Sequence, residues 1–463
     1  MPAATVNRYN QNQDAVRNRL VKLVSGTAIV TVMFGLMQLL TVAGPTRTPS
    51  RHTAALAGVN MLHGKQALTT SWGRDPEAKP KARSFTNEAA AEPLAGERRL
   101  VALEGGEPDV ELVWQRPTQT KIRAVIFLAH GCSHSATDWW PASSPSLIRG
   151  SKGCAQCVGL PEEGRIVQEA LKKGWVAVAI SSKDRQSKCW SGGMKGDATR
   201  VVAALRNIID HGAATGALPW KNYIGVPLLA FGASSGGSFV SSAEFNDAIY
   251  EYGGGMVLEG YNAQIGVAPR VADVPAVLTH METRDSRTAA LVRATILEHD
   301  PITFQSPILE LKVEPLSLTA PPTREEDARR GKLRRSSRER KGYSFFSERI
   351  PRGDWTGTAA ARARGLSFEQ SETLVAALIA ADALDSKGFL QEDPRSSEFD
   401  WRALPAFQSI GQQVGDSLVA DASGIAEVLN VAFARHEISA DQSWQAFNFL
   451  ASHCARCGAH HEY

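Results

Sequence analysis

Net charge is almost missing from this chain. Its 51 lysines and arginines face 48 aspartates and glutamates, for a formal +3. So balanced a surface exerts no general pull on nucleic acid, and no nucleic-acid partner is expected. N-glycosylation acceptors are missing too, since no Asn-x-Ser/Thr triplet occurs. Histidine is absent from position 300 to position 435. Any chemistry that needs an imidazole must draw it from outside that stretch. Cysteine is scarce: Cys132, Cys154, Cys157, Cys189, Cys454 and Cys457 are the whole set. An even count suits disulfides in an oxidising compartment, and metal or free thiols in a reducing one.

What is present begins with residues 23–44, LVSGTAIVTVMFGLMQLLTVAG, which carry no charge. At about 1.5 Å per residue this run is long enough for a hydrocarbon layer of about 30 Å. Arg17, Arg19 and Lys22 precede it, and Arg47 and Arg51 follow it. The reading adopted is a single-pass signal anchor with residues 1–22 cytoplasmic and a luminal or extracellular body. A cleaved signal peptide, which would make the body secreted, is the competing reading. Residues 45–98, rich in Ala, Pro, Thr, Ser and charge, read as a linker or stalk.

From about residue 99 apolar strands alternate with amphipathic helices. VELVWQRP, KIRAVIFLAHG, WVAVAIS, VPLLAFG, GGMVLEGY and VPAVLTHM read as strands. GRIVQEALKKG and DATRVVAALRNIIDHG read as helices, each with a glycine stop. The pattern predicts an α/β fold: a mostly parallel central sheet with helices on both faces. The chain of 463 residues can hold one such core of about 250–300 residues plus appendages.

Gly232-Ala233-Ser234-Ser235-Gly236 fits G-x-S-x-G between a strand and a helix. A serine on so sharp a turn needs small neighbours two residues before and after, which Gly232 and Gly236 supply. Ser234 is therefore the candidate nucleophile, and the Ser235 N–H is a candidate oxyanion donor.

On these motifs the chain resembles the α/β-hydrolase superfamily over residues 100 to about 315 and 420–453. It is also similar to a membrane-anchored branch of that superfamily in plants and protists. The resemblance implies a second oxyanion donor in the turn AHGCSH, residues 129–134, assigned to Cys132 or, less favoured, Ser133. His130 and His134 are read as shaping that turn. The superfamily order is Ser, acid, His. Asp285, on the loop after VPAVLTHM, is chosen as the acid over Glu282, with a helix N-cap as its alternative role. His280 precedes Asp285 and His299 closes a helix, which leaves His436, His453, His460 and His461. His436 is chosen because SADQSWQAFNFL follows it as a closing helix, with Trp444, Phe447 and Leu450 on one face. The preceding GIAEVLNVAFAR reads as a helix where the superfamily has a strand. Glu437 is read as a partner of His436 or a solvated charge.

Residues 316–420 then form a lid or cap insertion, with a disordered basic run at 323–342 and a helix from about Gln370 to Ala383. Residues 421–453 complete the hydrolase core, and 454–463 form a Cys/His tail. Cys154-Ala-Gln-Cys157 and Cys454-Ala-Arg-Cys457 share C-x-x-C spacing, which admits disulfides or a joint zinc site. Behind a membrane anchor, disulfides are the reading adopted, some of them bracing the oxyanion turn, with no metal and no cofactor.

The expected activity is that of a serine esterase acting on a small-molecule ester or acyl substrate through an acyl-enzyme. The alternatives are an inactive hydrolase fold serving as a tethered binding module, and a redox or metal protein built on the C-x-x-C pairs.

Overall fold

The structure is a computed structural model that describes residues 92–103, 107–143, 153–191, 196–298, 306–320, 345–350 and 365–457. The proposed tail 1–22, the anchor 23–44, the stalk up to 91, the basic run 323–342, His299, His460 and His461 lie outside the described residues. Among the described residues no helix is long and apolar enough to cross a membrane.

Eight strands form one sheet: β1 (Glu97–Val101), β2 (Val110–Gln115), β3 (Ala124–Ala129), β6 (Trp175–Ile180), β7 (Pro227–Ala233), β8 (Val257–Gln264), β9 (Ala276–His280) and β10 (Ile308–Lys312). Their order is β1-β2-β6-β3-β7-β8-β9-β10. β2 pairs antiparallel with β1 and β6, and every pair from β6 to β10 is parallel. A separate two-stranded sheet joins β4 (Pro141–Ser143) to β5 (Cys154–Val158). Cys154 and Cys157 therefore lie in a strand of this small sheet. The short strands β1 and β10 at the two edges are not evident in the sequence, because their charged residues mask the apolar pattern.

The parallel strands β3, β6, β7, β8 and β9 are buried on both faces, as their continuous apolar runs require, whereas the edge strand β10 is partly exposed. Val125 and Phe127 of β3 face one core layer, and Ala124, Ile126 and Leu128 face the other. The first layer is closed by α2 (Asp197–Ala214) through Val201, Leu205 and Ile208, and by α4 (Ala243–Tyr252) through Phe245 and Ile249. The second is closed by α1 (Pro161–Lys172) and α10 (Ser443–His453), whose Phe447 and Leu450 are fully buried. Trp444 instead turns outward at 41% exposure, which corrects the expected apolar stripe. Helix α2 runs through Gly212, which packs against Leu218, and the left-handed residue beyond its end is Gly216. The stretch after Ser234 is two helices, α3 (Ser235–Ser241) and α4, divided at Ser242, whose hydroxyl caps Phe245 N–H.

A third core lies in the insertion. It gathers α6 (Phe345–Arg349), α7 (Phe368–Ala380), α8 (Pro405–Val414) and α9 (Gly424–Phe433) around Phe346, Leu374, Trp401, Phe407 and Leu429. Helix α9 contributes its apolar residues to this third core and also touches α1, where Glu427 accepts the Glu162 N–H, while α10 of the same 421–453 segment covers the sheet. The place of α9 in the third core explains the helix found where a strand was expected before His436. The last sheet strand, β10, precedes the whole insertion.

Candidate active site

The carboxyl ends of β7, β9 and β10 point their loops to one edge of the sheet, where open α/β sheets hold ligands. Ser234 leaves β7 with φ 54° and ψ −116°. A non-glycine residue there costs on the order of 1–3 kcal/mol and persists only when its surroundings hold it. They do so through backbone. Ser234 N–H donates to the Gln264 carbonyl at 2.8 Å. A Cβ on Gly236 would stand 2.5 Å from the carbonyl oxygens of Ala129 and His130, and one on Gly237 would stand 2.6 Å from that of Gly266. Strand and helix can approach this closely only without side chains, which is what the glycines of the motif are for.

His436 lies on the loop after α9, with φ 52°. Its Nε2 is 2.9 Å from Ser234 Oγ and its Nδ1 is 2.8 Å from Asp285 Oδ2. Burial raises the Asp285 carboxyl, but hydrogen bonds from Thr288 and His436 outweigh it and hold the group below its usual value. An ionised carboxylate only accepts, so Nδ1 carries the ring proton and Nε2 offers its lone pair to the serine hydroxyl. The other oxygen of Asp285 accepts from Thr288 N–H at 3.2 Å, at the start of α5 (Ser286–Glu298). Asp285 thus meets His436 with one oxygen and the first turn of α5 with the other. Glu282 instead bridges Arg293 and Lys312.

The turn at Gly131 sits against Ser234: a Cβ on Gly131 would lie 3.8 Å from Ser234 Cβ. Ser133 N–H is already spent on the Ser187 carbonyl, which leaves Cys132 as the donor candidate of that turn. Cys132 is bonded to Cys189, joining the β3 turn to the loop after β6. Lys188 Nζ donates to the Ser133 carbonyl, and Ser235 Oγ accepts from Trp190 N–H, so the same loop also grips the elbow. Cys154 pairs with Cys157 and Cys454 with Cys457, so each C-x-x-C closes on itself and all six cysteines are used.

His130 is fully buried, and burial pushes its pKa down to about 3. It is a neutral strut that donates from Nδ1 to the Gly131 carbonyl and accepts Ser182 N–H at Nε2. His134 faces Asp138 at 3.2 Å and Glu163 at 3.9 Å. Burial opposes its charge, but those carboxylates raise it to about 9. Behind the turn a group of acids is buried. Glu163 and Glu427 are buried near one another, and Glu163 Oε2 and Glu427 Oε1 have no hydrogen-bond partner among the described residues. Two carboxyls in that position share a proton, and burial raises both, Glu163 to about 7. Glu437, half-buried near them, accepts from Asn430 Nδ2, so it supports the histidine loop.

Sequence reasoning missed the residues that hold this loop. Gln264 accepts Ser439 N–H at 2.9 Å and donates to the Ser439 carbonyl at 2.6 Å. Glu162 accepts Ala440 N–H at 2.7 Å, and Arg349 pairs with both Glu162 and Asp441. A polar residue at the end of an apolar strand (Gln264 in VLEGYNAQ) was the one signal available.

Strand order, elbow and the chain order Ser234, Asp285, His436 now stand together. The fold is α/β-hydrolase-like. No family model and no curated protein matches the chain. Among solved structures it is similar to an α/β serine hydrolase without a lid from Xanthomonas campestris, at 9% identity and TM-score 0.30, over 47% of this chain and 85% of that one. It is also similar to a dienelactone hydrolase from Anabaena variabilis, at 14% identity and TM-score 0.29, over 48% and 88%. A third likeness is to a fungal esterase from Rhizomucor miehei, at 14% identity and TM-score 0.30, over 48% and 75%.

Proposed function

We propose that this protein is a membrane-tethered serine hydrolase that cleaves carboxylic esters, with amides as poorer substrates. Ser234 Oγ attacks the acyl carbonyl as His436 Nε2 takes its proton, and Asp285 orients and stabilises the imidazolium. The backbone N–H groups of Ser235 and Cys132 receive the oxyanion. Collapse breaks the ester C–O bond, and the alcohol leaves with the proton from His436. Water activated by the same nitrogen then releases the acid from Ser234. The observation that carries this reading is the unbroken hydrogen-bonded run from Ser234 through His436 to Asp285, at 2.9 and 2.8 Å. The insertion is assigned as a cap beside the acyl or leaving-group pocket.

The run at 23–44 is assigned as the tether, with the body on the luminal or extracellular side, and the pairing of all six cysteines supports an oxidising location. Protease protection in sealed microsomes checks the side. The decisive experiment is fluorophosphonate labelling of the folded protein beside Ser234→Ala and His436→Ala. Both substitutions are expected to abolish labelling. Loss in Ser234→Ala alone would move the base elsewhere, and a folded wild type that does not label would favour the non-catalytic binding module.

A further inference from the structure

The insertion grips both loops that carry the partners of Ser234. Arg395, on the insertion segment before Trp401, donates from Nη1 to the His436 carbonyl at 3.1 Å and from Nη2 to the Arg435 carbonyl. Its guanidinium is aimed by Asp393, which accepts from Arg395 Nε at 3.2 Å and from its backbone N–H at 3.0 Å. Asp393 also lies 3.6 Å from Arg435 Nη1. This segment is pinned to the third core by Trp401, a fully buried side chain whose Nε1 donates to the Pro394 carbonyl at 3.0 Å. On the acid side, Arg284 donates to the Leu390 carbonyl at 3.1 Å and lies over the Phe433 ring at 4.2 Å.

The histidine loop needs such a grip. Ala434 and His436 both have positive φ, at 55° and 52°. Each conformation costs on the order of 1–3 kcal/mol and survives only where neighbours fix it. Gln264 fixes the loop beyond the histidine, at Ser439. Arg395 fixes it at the histidine itself, and a planar fork is the side chain suited to two consecutive carbonyls.

We infer that Arg395 is a positioning residue for His436, so that the insertion is a fixed part of the frame that aims the base rather than a detachable cover. This rests on the proposed hydrolase reading for its catalytic meaning, but not for its geometry. The test uses the full chain in detergent with Arg395→Met, Arg395→Lys and Trp401→Phe. Four quantities are compared: kcat and KM on p-nitrophenyl acetate, the fluorophosphonate labelling rate, the thermal midpoint, and the low-field proton resonance of His436 Nδ1–H.

A displacement of about 1 Å at a reacting group costs about 100-fold. Arg395→Met is therefore expected to lower kcat by about that factor with KM little changed. Its low-field resonance should broaden or vanish well below the melting point. Arg395→Lys should recover part of both, and Trp401→Phe should show a weaker form of the same pattern. Wild-type kcat and an unaltered resonance in folded Arg395→Met would overturn the inference. So would a loss of rate wholly matched by a loss of folded protein. If the wild type neither labels nor turns over, yet its resonance disappears in Arg395→Met, the positioning role stands and the hydrolase reading falls.

Discussion

Ser234 and His436 sit 2.9 Å apart and are held in opposite ways. The serine is fixed by main chain: a strained turn, a hydrogen bond to the Gln264 carbonyl, and glycines that let helix α3 approach β3 and β8. The histidine is fixed by side chains from distant parts of the chain, with Gln264, Glu162 and Arg395 each holding a different point of one loop. Main-chain fixation sets backbone directly against backbone and tolerates no added atom. Side-chain fixation is long-range, and each removal loosens the loop without dismantling the sheet.

Substitutions at the two sides should separate accordingly. Gly236→Ala drives a methyl into two carbonyls that cannot retreat, and a loss of about 4 kcal/mol or more is expected, read as little soluble protein or a collapsed urea midpoint. A stable, fully active Gly236→Ala would refute the main-chain half of the comparison. Gln264→Ala leaves the buried Ser439 N–H and carbonyl without their partners, at about 1–3 kcal/mol for each group. This variant should still fold, with slower labelling of Ser234, and a wild-type labelling rate would show that the loop does not need the clamp.

The smallest effect is expected at Glu427→Gln. The folded Glu163–Glu427 pair retains a proton that an unfolded glutamate releases above about pH 4.3. The folded state therefore binds more protons, and stability falls as pH rises from about 4.5 through about 7, where Glu163 ionises, and beyond, since Glu427 is raised as well. The amide mimics the protonated acid and should flatten that fall, so the variant should melt higher than wild type at pH 7 and alike below pH 4.5. Parallel melting curves across this range would exclude the shared proton.

The same contrast governs what could be read from the sequence. The elbow was legible because its demands fall on five adjacent residues, and so many small residues seldom gather between an apolar strand and a helix unless a sharp turn requires them. Asp285 and His436 were reachable by chain order and by the scarcity of histidine. Arg395 was not, since an arginine in a polar loop looks the same whether it meets water or two carbonyls. Helix α9 was recognised as a helix, but its membership in the third core was not. Apolar spacing reveals that a face is buried and says nothing of what buries it. Disulfides bracing the oxyanion turn were expected, but not the pairing of Cys132 with Cys189, because connectivity depends on which loops the sheet order brings together.

Asp285 offers a last consequence. One of its oxygens starts helix α5 and the other receives His436. The acid cannot slide along the chain by a single residue without resetting the first turn of the helix. Its address is set by counting from that turn, so the loop before it, from Met281 onward, can vary only in ways that return the chain to the same starting point. Asn and Asp begin helices about equally well, so a neutral asparagine there would be silent to the fold and conspicuous to the chemistry. At this position a lineage could lose the proposed reaction while its shape kept no record of the change.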